Sequence, residues 1–335
     1  MPDEASWWRR EPLGRDRGFR YLKVGGGELT SETALSRIRR LAIPPAWTDV
    51  HISPDPSRKV QAWGRDAAGR KQYRYSPAHE EDRDMRRWKR VLKFARELPE
   101  LRAVTNAHLR LEGLGQEKVL ATIVRLMGRG YFRVGSERYA VENKTFGICT
   151  LGKRHLEVVG NDLVFTYKGK QRIDQRRVVA STPLVEILDE LLELPGRRLF
   201  QYLDAAGRRR PIGATEVNRY LCDVLGEKYT SKDFRTFGGT VRAATILADV
   251  GPARTAREAE KTVVMTCKLV ASELGNTPAI ARKAYIHPVI FDEYVENART
   301  IEPLMRARER PVPAEAPPQY YPEEGALIRF LEKYG

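Results

Sequence analysis

Cysteine is scarce in this chain: Cys149, Cys222 and Cys267 are the only three in 335 residues. An odd number at such wide spacing provides neither a disulfide framework nor a zinc pattern. The fold must therefore rest on its apolar core, and the three read as buried thiols in a reducing compartment. Long apolar runs are missing too. No stretch is long enough to span a bilayer, and Asp3, Glu4 and the pair Trp7-Trp8 stand where a signal peptide needs an apolar segment. These absences predict a soluble, cytoplasmic protein with no membrane partner. The third shortage is of negative charge, with 44 acidic residues against 59 Lys and Arg and a formal net charge of +15. The excess is spread over the whole chain, and arginines gather beside aromatic rings, as in Gly69-Arg70-Lys71-Gln72-Tyr73-Arg74-Tyr75. A polyanion, nucleic acid above all, is the partner such a chain attracts.

The length allows two domains, each able to bury a core. Short alternating segments over 19–22, 49–52, 59–63 and 71–75 predict a small antiparallel sheet. A hairpin turn is expected at Asp66-Ala67-Ala68-Gly69, and one helix over 32–41 behind a Thr30/Ser31 cap. After Pro77 the run His79-Glu80-Glu81-Asp82-Arg83-Asp84 predicts a charged linker over 79–86. Beyond it, apolar residues recur at helical spacing over 85–97, 116–127, 183–194, 214–225, 231–248, 256–274, 277–285 and 288–298. Strand-like alternation over 155–179 interrupts them, with turns at Gly160-Asn161-Asp162 and Gly169. Residues 311–322 are proline-rich and read as an extended tether; a last amphipathic helix over 323–334 carries Leu327, Phe330 and Leu331 on one face. The fold class is therefore α+β. A small antiparallel-sheet domain over 1–78 and a linker over 79–86 precede a larger, mainly α-helical domain over 87–310 with a β-hairpin insertion, then the tether and helix of 311–335. Two domains on a charged linker suggest a clamp.

Chemistry concentrates in the helical part. Thr277-Pro278 is a strong helix start and Pro288 cannot continue that helix, so Tyr285 falls on its last turn, where a hydroxyl can project into a cleft. Phe132-Arg133-Val134-Gly135 places a half-buried arginine next to a glycine that lets another backbone approach. Lys170 follows a glycine turn at the tip of a hairpin. Lys232-Asp233-Phe234-Arg235 opens a long helix, whose N-terminal N–H groups favour a phosphate, and Asn276 lies in a turn with its amide able to donate to an anion. Taken singly, each is compatible with an ordinary surface or turn residue.

Together, the ordered set Arg, Lys, Lys-x-x-Arg, Asn, Tyr behind a basic aromatic β domain resembles the type IB DNA topoisomerases. The likeness is to their compact viral-and-bacterial branch and runs over nearly the full length. It is carried by Gly69–Tyr75, Phe132-Arg133-Val134-Gly135-Ser136-Glu137-Arg138-Tyr139, Lys168-Gly169-Lys170, Lys232-Asp233-Phe234-Arg235-Thr236-Phe237 and Ala284-Tyr285. The resemblance implies that the helical domain is catalytic, with Arg133, Lys170, Arg235, Asn276 and Tyr285 as its reactive residues and Tyr285 as the nucleophile. It implies that Gln72, Tyr73, Tyr75 and Tyr139 touch double-stranded DNA, that neither metal nor cofactor is used, and that a nucleoid-associated monomer suffices. Asn276 departs from the histidine many relatives carry; it can donate a hydrogen bond but takes no proton at neutral pH. Strand parity separately places Tyr73 and Tyr75 on one face and Arg74 on the other.

Two rivals remain at this level. Tyrosine site-specific recombinases share the Arg, Lys, Arg and Tyr set, but ordinarily carry His-x-x-Arg where this chain has Lys232-x-x-Arg235, and more often begin with a helical bundle. The other is a DNA-binding protein without activity, against which all five reactive positions hold competent side chains.

Overall fold

The computed structural model describes residues 6–14, 18–306 and 320–335. It is α+β, with an antiparallel five-stranded sheet and a mostly helical body, and its chain divides into two compact units, Met1–Trp88 and Lys89–Gly335.

The sheet of the first unit has the order β2-β1-β3-β4-β5, formed by β1 (Trp8–Pro12), β2 (Phe19–Leu22), β3 (Thr48–Ile52), β4 (Val60–Arg65) and β5 (Lys71–Tyr75). Helix α1 (Glu32–Arg40) starts where Ser31 accepts a hydrogen bond from the Ala34 N–H. Its Ile38 joins Leu29, Val50, Ile52 and Ala62 in a small core. On the opposite face His51 stacks on Trp63 with ring centres 4.1 Å apart, and the Lys71 ammonium lies 3.6 Å from the Trp63 ring centre. Strand β1 is a correction to the four predicted strands. Its sequence is charged and ends in proline, so no alternation marks it. It is held by Arg10, buried here, which donates to the carbonyls of Pro44 and Trp47 at 3.1 and 2.6 Å.

The predicted linker over 79–86 is also corrected: those residues lie inside α2 (Pro77–Leu109). The Ser76 hydroxyl accepts from the His79 N–H at the start. The charges that read as a solvated spacer pair along the helix as Arg86–Asp82 and Arg87–Asp84, three or four residues apart.

The second unit adds α3 (Gln116–Gly130), α4 (Glu137–Asn143), β6 (Leu156–Val159), β7 (Asp162–Lys168), β8 (Asp174–Ala180), α5 (Thr182–Glu193), β9 (Gln201–Leu203), β10 (Arg209–Pro211) and α6 (Ala214–Leu225). It continues with α7 (Ser231–Val250), α8 (Ala256–Leu274), α9 (Pro278–Tyr285), α10 (Pro288–Asn297), α11 (Glu302–Arg306) and α12 (Pro322–Tyr334). The insertion is a three-stranded antiparallel sheet, β6-β7-β8. Helices α4 and α11 and the β9–β10 hairpin escape the sequence reading because they are short, and α4 buries no residue at all. Helix α7 is the spine, packed against α3, α8, α9, α10 and α12. Leu327, Phe330 and Leu331 of α12 are buried as expected, and Arg102 clamps Glu324 with two 2.8 Å hydrogen bonds. The predicted tether lies outside the described residues up to 319, and Pro322 already belongs to α12. Cys149 and Cys267 are buried and Cys222 only half so. No described helix is long and apolar enough to cross a membrane.

Candidate active site

Helix α9 begins as its sequence predicts: the Thr277 hydroxyl accepts from the Ile280 N–H at 3.3 Å, Pro278 occupies the first turn, and Tyr285 is the last helical residue. Its backbone is fixed by α7. The Thr240 hydroxyl donates to the Tyr285 carbonyl at 3.3 Å and accepts from the His287 N–H at 3.1 Å. Gly239 makes that approach possible, because a Cβ there would fall 2.8 Å from the Tyr285 carbonyl oxygen. The phenol is half-buried.

Two arginines act on it, and one of them is hydrogen-bonded to an amide. Arg235 is 1% exposed, donates to the carbonyls of Tyr131 and Leu274, and holds its guanidinium carbon 5.1 Å from the Tyr285 ring centre. Its location corrects the sequence expectation of a cation at an open helix start. The α7 N-terminus is closed by Thr230 and by Asp233, which accepts from the Thr230 N–H and pairs with Arg90, while Arg235 lies further in, beneath the helix end. Arg133, half-buried, donates to the Gly275 carbonyl at 3.0 Å and to Asn276 Oδ1 at 2.6 Å. Its segment is strapped down by Ile148 N–H on the Arg133 carbonyl and Cys149 N–H on the Val134 carbonyl. Gly135, at φ +89°, does meet another backbone there, since a Cβ would fall 2.9 Å from Gly147 Cα.

A third arginine carries no local sequence signal. Arg177 on β8 is buried, donates to Gln175 Oε1 at 2.7 Å, and adds its charge to those of Arg133 and Arg235. Tyr167, buried with its ring against Phe132, accepts a hydrogen bond from it. Among the described residues none of Arg133, Arg177 and Arg235 forms an ion pair with a carboxylate, and Asn276 Nδ2 and Arg235 Nε are buried without a hydrogen-bond partner. Like charges gathered out of water and left with unused donors describe a site for an anion.

The electrostatics agree. Burial alone would raise the Tyr285 phenol. The charge and hydrogen bond of Arg235, with the charges of Arg133 and Lys232, more than offset burial and hold it below its ordinary value. Burial, then the Arg133 charge, lowers the Arg235 guanidinium, which Tyr285 partly opposes. Arginine nevertheless stays protonated at any physiological pH.

The structure thus brings Arg133, Asn276, Arg235 and Tyr285 together. Lys170 stands apart: it is exposed at the β7–β8 tip, its carbonyl accepts from the Ile173 N–H, and its side chain makes no hydrogen bond or ion pair among the described residues. Lys168 pairs across that hairpin with Asp174. Of the residues expected at DNA, Tyr139 is exposed on α4. Tyr73 and Tyr75 share a face of β5 with ring centres 6.2 Å apart, Arg74 on the other face reaches the Ala42 carbonyl, and Gln72 donates to Asp66 at 2.9 Å.

Comparison with known proteins bears on this arrangement. A family model described as eukaryotic DNA topoisomerase I, catalytic core, matches residues 75–310, and one described as bacterial DNA topoisomerase IB, N-terminal domain, matches residues 18–66. The DNA topoisomerase 1B of Acanthamoeba polyphaga mimivirus is 29% identical over 286 residues, covering 83% of this chain and 85% of the relative. The DNA topoisomerase I of Monkeypox virus is 24% identical over 268 residues, with 76% and 80% covered. The DNA topoisomerase 1 of Rabbit fibroma virus is 23% identical over 284 residues, with 80% and 83% covered. With the catalytic-core model spanning most of its length, the chain belongs to the type IB DNA topoisomerase family, a family of isomerases.

Proposed function

We propose that this enzyme relaxes supercoiled duplex DNA by a transient single-strand break in which Tyr285 becomes covalently joined to a 3′ phosphate. The observation that carries the reading is the set of buried and half-buried arginines, without carboxylate partners among the described residues, beside a phenol held below its ordinary pKa. The Tyr285 oxygen attacks phosphorus in line, its proton passing to solvent, and the bond to the 5′ oxygen breaks. Arg133, Arg235 and the free Asn276 amide hold the non-bridging oxygens, each such donor being worth roughly 10²–10³ in rate. Lys170 gives its proton to the departing 5′ oxygen, a contribution of roughly 10²–10⁴. The phosphodiester energy is conserved in the tyrosyl link, so ATP is not required, and the charge stabilisation comes from side chains without a metal. The free 5′ strand swivels, and reversed attack reseals it. Gln72, Tyr73 and Tyr75 of the first unit and Tyr139 of the second are assigned to DNA contact, and a monomer suffices.

The test is incubation with supercoiled plasmid in EDTA. A ladder of relaxed topoisomers is expected, with a protein–DNA adduct on the 3′ phosphate that Tyr285→Phe abolishes while DNA affinity is kept. Paired-site strand exchange points to a recombinase, and unchanged plasmid to a binding protein. A 5′ linkage, or adduct surviving in Tyr285→Phe, overturns the mechanism.

A further inference from the structure

The β7–β8 tip is bent. Gln171 and Arg172 both take left-handed backbone angles, φ 62° and 60°, a region non-glycine residues enter at a cost. The base of the tip is tied down by Gly169 N–H on the Ile173 carbonyl at 2.8 Å and Phe146 N–H on the Lys168 carbonyl at 2.8 Å. The tip itself is closed by Arg172 N–H on the Gly169 carbonyl at 3.0 Å and Ile173 N–H on the Lys170 carbonyl at 3.5 Å, and Arg172 ties it to another segment by donating to the Asn143 carbonyl at 3.5 Å. Directly beneath lies a side chain the mechanism has not used. Gln175 is 5% exposed. It is wedged between two glycines from distant parts of the chain: a Cβ on Gly169 would fall 2.7 Å from Gln175 Cγ, and one on Gly275 only 2.2 Å from Gln175 Oε1. Gly169 precedes Lys170. Gly275 precedes Asn276, and its own carbonyl receives Arg133. The Gln175 amide is oriented by Arg177, which donates to Oε1 at 2.7 Å, while Nε2 donates to the Asp174 carbonyl at 3.1 Å.

We propose that Gln175 is a positioning residue that couples the Lys170 hairpin to the Gly275–Asn276 turn, so that the proton donor is delivered in register with the groups holding the phosphate. The inference rests on the reading of Lys170 as the general acid. Its physical content is reach. The glutamine side chain fills the gap between the two backbones, and the absence of a Cβ on each glycine lets it touch both, so a displacement of either backbone is passed to the other. A shorter side chain leaves a void there, and the tip no longer has a floor to register against. Arg133 and Asn276 keep each other's hydrogen bond without Gln175, and Arg177, which loses its Oε1 acceptor, keeps its hydrogen bond to Tyr167, so the groups proposed to hold the phosphate stay in place.

The experiment compares cleavage of an ordinary oligonucleotide duplex with one whose 5′ bridging oxygen at the cleavage site is sulfur, a leaving group that departs without a proton. Gln175→Ala should slow cleavage of the oxygen substrate roughly 10–10²-fold, less than loss of the acid itself, with noncovalent DNA affinity unchanged and near wild-type cleavage of the sulfur substrate. Combined with Lys170→Ala it should add nothing to the single Lys170→Ala defect, because the two act in one step. Gln175→Asn keeps the amide but withdraws it by one methylene; it should fold and show the same sulfur-rescued defect at smaller size, and it carries the test should Gln175→Ala fold poorly. Equal slowing on both substrates, or full additivity with Lys170→Ala, overturns the proposal. Lys170→Ala alone is the control for the underlying reading: if sulfur fails to rescue it, Lys170 is not the acid, whereas rescue of Lys170→Ala without rescue of the Gln175 variants removes Gln175 alone.

Discussion

Arg235 and Lys170 carry the same formal charge and are assigned to the same reaction, yet their surroundings are opposite. Arg235 is almost fully buried, with two backbone carbonyls fixing its guanidinium beneath Tyr285. Lys170 is exposed at a bent hairpin tip, its side chain without a hydrogen-bond or ion-pair partner among the described residues. The difference suits the roles proposed for them. A group that stabilises charge on the phosphoryl oxygens acts best when it is already oriented and dehydrated before substrate arrives, because no reorganisation is then needed at the moment of reaction. A proton donor must meet one oxygen and then withdraw so that the 5′ strand can move. On the proposed reading, a buried floor and an exposed arm divide the two tasks.

The sharpest way to break this division is Lys170→Ala. On an ordinary duplex, cleavage should fall by roughly 10²–10⁴, the range for a positioned acid. On a duplex with 5′ bridging sulfur most of that loss should disappear, and the melting temperature should stay at the wild-type value, since the side chain touches nothing that stabilises the fold. A defect that sulfur leaves intact transfers the acid's role to another lysine, Lys232 first, because Lys168 is engaged with Asp174.

Arg235→Ala should be the converse. The rate should fall by roughly 10²–10³, sulfur should rescue little, and stability should drop. Each carbonyl deprived of its donor costs about 1–3 kcal/mol if water does not reach it. Thermal unfolding measured beside single-turnover cleavage checks both halves, and an Arg235→Ala protein as stable as wild type would show that the guanidinium is not part of the floor.

How far the sequence foretold this can be judged from particular residues. Tyr285, Asn276 and the limits of α9 were legible because helix ends carry local chemistry, Thr277-Pro278 at one end and Pro288 beyond the other. Arg133 was placed by its neighbouring glycine, whose partner backbone was real. Arg235 does lie by Tyr285, but not through an open helix start, since Asp233 and Arg90 already close that end. Arg177 and Gln175 were invisible for a physical reason. In β8 the inward positions are Gln175, Arg177 and Val179, so the buried face is mostly polar, and a reading based on apolar alternation assigns such residues to solvent. Strand β1 was missed on the same ground. Polar residues turn inward only when a specific partner waits there: for Arg10 the partners are the distant Pro44 and Trp47 carbonyls, while Gln175 and Arg177 bond each other within the strand.

The smallest expected effect separates the floor from the solvent-exposed charge around it. The lowered phenol of Tyr285 owes part of its shift to Arg235 and Arg133 and part to Lys232, which is exposed. Removing a cation destabilises the phenolate relative to the phenol, so the pKa must rise towards its ordinary value. In a profile of single-turnover cleavage against pH, Arg235→Gln should therefore move the inflection upward, and Lys232→Ala should move it upward by less. Salt tells the two apart. The Debye length shrinks from about 10 Å at 0.1 M to about 3 Å at 1 M, so the contribution of an exposed lysine fades while that of a buried guanidinium persists. At low salt Lys232→Ala and wild type should differ; at high salt their inflections should merge, while that of Arg235→Gln stays displaced. Because salt also weakens DNA binding, the profile is read at saturating duplex. A Lys232→Ala shift that survives high salt would place Lys232 within the enclosed site rather than on its rim.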